Sequence, residues 1–173
     1  MDQRFWLLND TETLSPVLPD RLEEATRRLL AKACERDLVL AVAESCTGGL
    51  LASLLTDVEG VSHAFDRGFV TYSDAAKIEM LGVPAALIGA KGAVSAEVAV
   101  AMAEGALTRS RAHIACAVTG FADKGDEPGL IHLACARDGR ITAHREEHFG
   151  AVGRGSTRIA AMEAAVEMMT EML

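Results

Sequence analysis

The chain has little aromatic character, no closely paired cysteines and no long hydrophobic run. Only 4% of its 173 residues are aromatic, and its four cysteines include no C-x-x-C pair. This spacing excludes a disulfide framework and the usual zinc sites, and it predicts reduced thiols. No apolar run approaches the roughly 20 residues that span a bilayer, and charges interrupt residues 1–15, where a secretory signal needs an apolar core. We therefore expect a cytoplasmic protein without a membrane partner.

Excess positive charge is also absent. The net charge is -8, so we expect no nucleic-acid partner, because phosphate binding needs clustered Lys and Arg. Ala, Val and Leu dominate the apolar residues, which is typical of helices packed closely on a sheet. The length predicts one domain. We assign residues 1–18 to an N-terminal extension, interrupted by Pro16 and Pro19, and residues 19–173 to a single domain.

Predicted strands and helices alternate along the chain. Strands are expected at residues 38–43, 69–72, 114–118, 130–136 and 141–149, and helices at 20–35, 50–55, 75–81, 84–90, 95–110 and from about Ser156 onward. The last two strands read as a hairpin that turns at Asp138 and Gly139. This order predicts an α/β fold, a three-layer α/β/α sandwich with a mixed β-sheet.

A polar turn with two glycines follows the first predicted strand and leads into a helix. It contains Ser45, Thr47, Gly48 and Gly49. Backbone amides and the helix dipole favour negative charge at such a position, so Ser45 could attack a carbonyl while nearby amides hold the oxyanion. The glycines would let a ligand approach the backbone closely. The alternative is that Ser45 or Thr47 only caps the helix.

A serine nucleophile needs a base, and two residues offer one. Tyr72 ends the second predicted strand and Lys77 follows in the first turns of the next helix. Strand ends and helix starts gather at one edge of an α/β sheet, so we expect both near Ser45. The helix dipole and burial would lower the pKa of Lys77, whose neutral amine could take the serine proton directly or through Tyr72. The alternatives are a solvated lysine and a packing tyrosine.

Several short motifs together resemble one known family. Residues 41–49 (AVAESCTGG), 65–73 (FDRGFVTYS), 77–83 (KIEMLGV), 92–95 (GAVS), 101–106 (AMAEGA) and 117–120 (AVTG) are similar to the CinA C-terminal domain family. This is the family of competence/damage-inducible proteins, whose enzymes are nicotinamide-nucleotide amidohydrolases. The resemblance runs from about residue 20 to 120 and more loosely to the end. The chain is too short for the additional N-terminal domain of longer members, so we expect a stand-alone version.

The resemblance implies an activity and its catalytic residues. It implies hydrolysis of nicotinamide mononucleotide to nicotinate mononucleotide and ammonia, without a metal or other cofactor. By position, Ser45 would be the nucleophile, with Tyr72 and Lys77 as its activating partners. The expected partner is therefore a small-molecule nucleotide.

The resemblance also implies a substrate-binding set. Thr119 and Gly120 would line the site, and Arg154 would contact the nucleotide, with Arg158 one helical turn further on. We add Thr47, Gly48 and Gly49 to the expected substrate contacts because they follow Ser45 directly.

The chain departs from the family pattern in two places. A divergent, shortened loop at residues 121–128 (FADKGDEP) replaces a longer glycine- and proline-rich loop, and its acidic residues would oppose an anionic substrate, with Lys124 offsetting part of this. The usual Gly-Asp-Arg before the last helix appears without its acidic residue, as Gly153, Arg154 and Gly155. These departures leave two alternatives open, a less phosphorylated substrate and a catalytically weak or inactive nucleotide-binding or regulatory paralogue.

Three other features have an active and an inert interpretation. Cys46 could be a thiolate nucleophile, but a buried inert thiol is favoured because no histidine is close in sequence. His144 and His148 fall on one side of the last strand and could bind a metal, but a solvent-facing position is favoured. A homodimer is expected for a small enzyme, with Trp6 and its two leucine neighbours suited to the interface.

Overall fold

The computed structural model describes residues 18–173, which form five strands and six α-helices. In chain order these are α1 Asp20–Glu35, β1 Leu40–Glu44, α2 Leu50–Thr56, β2 Phe65–Val70, α3 Asp74–Leu81, α4 Ala85–Lys91, α5 Ala96–Thr108, β3 Ile114–Gly120, β4 Leu130–Arg137, β5 Ala143–His148 and α6 Arg154–Met172. Trp6 lies outside the described residues, so the extension and the homodimer that it would support stay predictions.

The strands form one mixed sheet in the order β2-β1-β3-β4-β5. Strand β1 pairs in parallel with β2 and with β3, whereas the β3–β4 and β4–β5 pairs are antiparallel. Connections through helices produce the parallel pairs, and the turn at Asp138 and Gly139 produces the final antiparallel hairpin. The predicted mixed sheet is confirmed.

The two faces of the sheet carry different side chains because alternate residues of a strand point to opposite sides. On one face, large side chains such as Leu40, Val42 and Ile114 pack against α1, α2 and α6. The opposite face is built largely from alanine and packs against α3, α4 and α5. Its alanines are Ala41, Ala43, Ala115, Ala117, Ala134 and Ala136. The two helical layers confirm the α/β/α sandwich.

Several element boundaries differ by one or two residues from those expected, and β2 differs most. Strand β2 covers Phe65–Val70 rather than residues 69–72. It is an edge strand whose residues are partly exposed, and it contains the ion pair of Asp66 and Arg67. Because the prediction relied on apolar residues, it found only the C-terminal end of this strand. Helix α6 begins at Arg154 instead of near Ser156, directly after Gly153, whose φ of 88° lies in the range that favours glycine.

Serine side chains cap the helices α3 and α5 beside the sheet edge. The Ser73 hydroxyl accepts a hydrogen bond from the Ala76 amide, and the Ser95 hydroxyl accepts one from the Val98 amide. Across residues 18–173, none of the helices has the length and apolar character that crossing a membrane demands.

Gly105 allows α5 to pack unusually close to α3. A Cβ atom at this position would overlap the carbonyl oxygen of Leu81, near the end of α3. Because α3 also carries Lys77, this close approach fixes the helix that brings Lys77 to the sheet edge.

Replacing Gly105 with alanine should therefore destabilise the fold. We expect a loss of about 1–3 kcal/mol in the free energy of unfolding, since the added methyl group overpacks a rigid backbone contact. Gly89→Ala is the matched control, because its Cβ would meet nothing within 4 Å in α4, and it should stabilise by roughly 0.5–1 kcal/mol. Denaturant unfolding measures both, and equal effects of the two substitutions would contradict the packing argument.

Candidate active site

A cleft opens at the edge of the sheet where β1 and β3 end. Its volume is about 260 Å³. Ser45 follows β1 directly, and its amide donates to the Val118 carbonyl at 3.0 Å, so the strand pairing continues one residue further. Residues that border the cleft include Ser45, Tyr72, Lys77, Thr119, Lys124 and Arg154. Side chains that are distant in sequence therefore share one space.

The central contact of the cleft joins Ser45 and Lys77. The Lys77 Nζ lies 3.1 Å from the Ser45 Oγ and donates a second hydrogen bond of 2.9 Å to the Thr71 carbonyl. Lys77 is only 1% exposed, and no carboxylate within the described chain forms an ion pair with it. The predicted convergence of these two residues is thus present in the structure.

The surroundings of Lys77 weaken its hold on a proton. Burial lowers the pKa of Lys77, while the nearby carboxylate of Asp74 acts in the opposite direction. The side chain starts from the first turn of α3 and reaches the carbonyl of Thr71, just before that helix. The arrangement favours a neutral amine with a lone pair beside the serine hydroxyl.

Glu44 anchors the turn that carries Ser45. Its fully buried carboxylate accepts hydrogen bonds from the amides of Gly49, Leu51 and Ala52 at 3.0, 3.0 and 2.8 Å. The acid thus caps the N-terminus of α2, whose own N-cap Gly49 has no side chain to do so. The expectation that the Gly49 amide would hold an oxyanion is corrected, because Glu44 occupies it.

Two amides next to Ser45 are not used by Glu44 or by a backbone carbonyl within the described chain. They belong to Cys46 and Thr47. Burial raises the pKa of Cys46 to about 11, and hydrogen bonds from these two amides lower that pKa in part. The Cys46 thiol therefore stays protonated at neutral pH, which agrees with the interpretation as an inert thiol. The amides of Cys46 and Thr47 are placed to stabilise negative charge beside Ser45.

The residues that follow Cys46 shape the turn and do not border the cleft. Thr47 is fully buried, and its carbonyl accepts a hydrogen bond from the guanidinium of Arg158. Gly48 has a φ of 62°, and a Cβ there would lie 3.1 Å from the same guanidinium. The geometry does not support direct substrate contacts by four of the expected residues, Thr47, Gly48, Gly49 and Arg158. They hold the Ser45 turn against α6.

Three other expected substrate contacts do border the cleft. Thr119 and Gly120 end β3, and the Thr119 hydroxyl donates to the Ala93 carbonyl at 2.9 Å, which ties β3 to the segment before α5. Arg154 is exposed at the first position of α6. The structure thus places a cation beside a wall made by the end of β3.

Tyr72 borders the cleft without joining the Ser45–Lys77 pair. Its side chain is 66% exposed, and among residues 18–173 its hydroxyl has no hydrogen-bond partner. The Lys77 Nζ has its hydrogen bonds to Ser45 and to the Thr71 carbonyl, and not to Tyr72. The contact between Ser45 and Lys77 is therefore direct and does not pass through Tyr72.

The lysine of the shortened loop borders the cleft, whereas the acidic residues of the loop do not. Lys124 is among the cleft residues, whereas Asp123, Asp126 and Glu127 are not. The Glu127 carboxylate instead lies 2.6 Å from the Nδ1 of His148. The expected opposition of these acids to an anionic substrate is weaker than the sequence suggests.

The histidines of the last strand are exposed to solvent, as the sequence analysis predicted. His148 contacts Glu127 and Glu146, and the Nε2 of His144 lies 3.1 Å from the Nδ1 of His132. Within the described chain, no group of three or more His, Cys, Asp or Glu side chains is arranged to hold a metal ion.

Sequence reasoning missed Glu44 and Asp74 as parts of this site. The signal for Glu44 was a carboxylate at the end of an otherwise apolar strand, six residues before a helix that begins after glycine. The signal for Asp74 was its position directly after the cap of the helix that carries Lys77, which brings both side chains to the same helix start.

Comparisons with known proteins agree with the observed fold. A CinA-like protein from Syntrophus aciditrophicus is 43% identical over 159 residues, covering 89% of this chain and 37% of that relative. The solved competence/damage inducible protein from Agrobacterium tumefaciens is 42% identical, with a TM-score of 0.87 over 91% of this chain and 98% of that one. A solved CinA superfamily protein from Escherichia coli is 32% identical, with a TM-score of 0.82 over 91% and 95% of the two chains.

The extent of these matches defines the family. The chain spans about a third of the length of the curated relatives it matches. The family model described as the CinA C-terminal domain covers residues 22–173, which is nearly all of the described structure. The chain therefore belongs to the CinA C-terminal domain family of competence/damage-inducible proteins.

Proposed function

We propose that the chain is a serine amidohydrolase that converts nicotinamide mononucleotide and water to nicotinate mononucleotide and ammonia. The observation that carries the proposal is the buried amine of Lys77, 3.1 Å from a serine hydroxyl that faces an open cleft. An amine held this way is a general base matched to a weak nucleophile. The family resemblance supplies the substrate.

The first half of the reaction forms an acyl-enzyme. The neutral Lys77 amine takes the proton of Ser45 as the Oγ attacks the carboxamide carbon of the substrate. The amides of Cys46 and Thr47 are placed to stabilise the resulting oxyanion. Protonated Lys77 then gives its proton to the departing nitrogen, the C–N bond breaks, and ammonia leaves.

The second half regenerates the enzyme. A water molecule gives a proton to Lys77 and attacks the ester carbonyl, and the Ser45–carbonyl bond then breaks while Lys77 returns the proton to Ser45. The product is the nucleotide carboxylate. One residue thus acts as base and acid in turn, which requires a pKa below that of ordinary lysine, and burial shifts it in that direction.

The remaining residues of the cleft would bind the substrate rather than react with it. Tyr72 offers an exposed aromatic face at the mouth, suited to the pyridine ring. Arg154 offers a charged hydrogen-bond donor for the phosphate at the start of a helix.

The alternative of an inactive nucleotide-binding or regulatory paralogue makes a different prediction for the same assay. It expects binding without release of ammonia. No contact in the described chain favours it, because the shortened loop leaves the cleft open and the Ser45–Lys77 pair is assembled.

Loss of either member of the pair should remove the activity. Ser45→Ala and Lys77→Met should each lower the rate of ammonia release from nicotinamide mononucleotide by at least about 100-fold, because nucleophile or base is lost. Coupled detection of ammonia and chromatography of the nucleotide product measure the rate. Ser53→Ala, an exposed serine in α2, is the matched control and should keep the wild-type rate. An unaltered rate in Ser45→Ala would remove Ser45 from the mechanism.

The rate should increase with pH. Below the pKa of Lys77 the amine is protonated and cannot accept the serine proton, whereas above it the amine is neutral. Because burial lowers this pKa, kcat/KM should increase tenfold per pH unit on the acid side and level off below the ordinary pKa of lysine, 10.5. A profile of kcat/KM against pH tests this, and a plateau reached only near that ordinary value would contradict a role for the buried amine.

Tyr72→Phe should keep kcat within about threefold of wild type, since the hydroxyl lies outside the proton path. The aromatic face is retained, so KM should also change little. Steady-state kinetics with the same substrate measures both constants. A fall in kcat of about 100-fold would instead establish Tyr72 as a proton relay.

A further inference from the structure

The shortened loop between β3 and β4 has a defined conformation. The amide of Phe121 donates to the Leu130 carbonyl at 2.9 Å, and the amide of Gly129 donates to the Phe121 carbonyl at 2.7 Å. Gly125 has a φ of 138°, and a Cβ there would overlap the ring of Phe121. The loop therefore closes at its base and packs its own aromatic ring against its middle.

This conformation separates the charges of the loop. Lys124 borders the cleft, while Glu127, at the other end of the loop, lies 2.6 Å from the Nδ1 of His148 in β5. The other ring nitrogen of His148 lies 2.8 Å from Glu146. The two carboxylates raise the pKa of His148, which favours a protonated ring that binds both. The pairing holds the acidic end of the loop away from the cleft.

The charges that border the cleft favour an anion. Lys124 and Arg154 are exposed cations on its wall, and Asp74 is the one carboxylate among its residues in the described chain. A ligand with a phosphate group thus meets two cations that come from different elements, the loop and the start of α6.

We propose that Lys124 is a substrate-binding residue that selects phosphorylated over unphosphorylated substrates, and that Glu127 and His148 position it. The proposal rests on the proposed function, and it assigns to the divergent loop the selection of the phosphate group. Lys124 contacts the phosphate beside Arg154. Glu127 and His148 act only through the conformation of the loop.

The test compares two substrates that differ in one phosphate group. Lys124→Gln should increase KM for nicotinamide mononucleotide about tenfold with kcat unchanged, and should leave KM for nicotinamide riboside unchanged. Lys91→Gln is the matched control. Lys91 pairs with Glu97 at the surface and does not border the cleft, so the same change of charge there should alter neither KM. Equal KM changes for both substrates, or none in Lys124→Gln, would overturn the proposal.

A second variant tests whether Glu127 positions Lys124. Glu127→Gln weakens the pairing with His148, and it should increase KM for the mononucleotide about threefold while kcat and the riboside KM stay constant. A general loss of stability would reduce the activity towards both substrates, so this split separates positioning from folding. An unchanged mononucleotide KM would overturn the role of Glu127.

A binding measurement separates this inference from the proposed function. Calorimetry with nicotinamide mononucleotide measures binding without turnover if it compares the Ser45→Ala protein with the double variant Ser45→Ala, Lys124→Gln. Weaker binding in the double variant, with no ammonia released by the wild type, would support the inference while hydrolysis fails. Ammonia release with equal affinity in the two proteins would overturn the inference alone.

Discussion

The site depends on keeping the ammonium group of Lys77 out of water. An amine with 1% exposure is costly to charge, and its two hydrogen bonds, to Ser45 and to the Thr71 carbonyl, leave no ion pair to compensate. The Ser73 cap and the close approach of Gly105 to Leu81 set the position of α3. Without that placement, Lys77 would be an ordinary surface lysine, and the hydroxyl beside it would be a weak nucleophile.

The buried carboxylate of Glu44 organises the backbone on the other side of Ser45. Glu44 uses three amides at the start of α2, and so decides which amides remain beside Ser45. The turn is then held from outside by Arg158, which binds the Thr47 carbonyl from α6. Ser45 thus lies between the Glu44 carboxylate, which organises the backbone of the turn, and the Lys77 amine, and these two side chains do not share a hydrogen bond.

The sequence predicted those parts of the fold and the site that follow from local pattern and strand order. Alternating strands and helices gave the mixed sheet, and the rule that strand ends share one edge brought Ser45 and Lys77 together. Contacts between distant elements were not predictable in this way. The bond from Arg158 to Thr47 spans 111 residues, and the side of the loop that faces the cleft depends on the contact of Glu127 with His148.

The alanine face of the sheet has a consequence for how rigid this site is. Alanine has no side-chain rotamers, so the alanines of this face are ordered without loss of side-chain entropy. Helix α3 rests on that layer through Leu81. The spacing between amine and hydroxyl is therefore set before any ligand arrives, and binding need not spend free energy on assembling the pair.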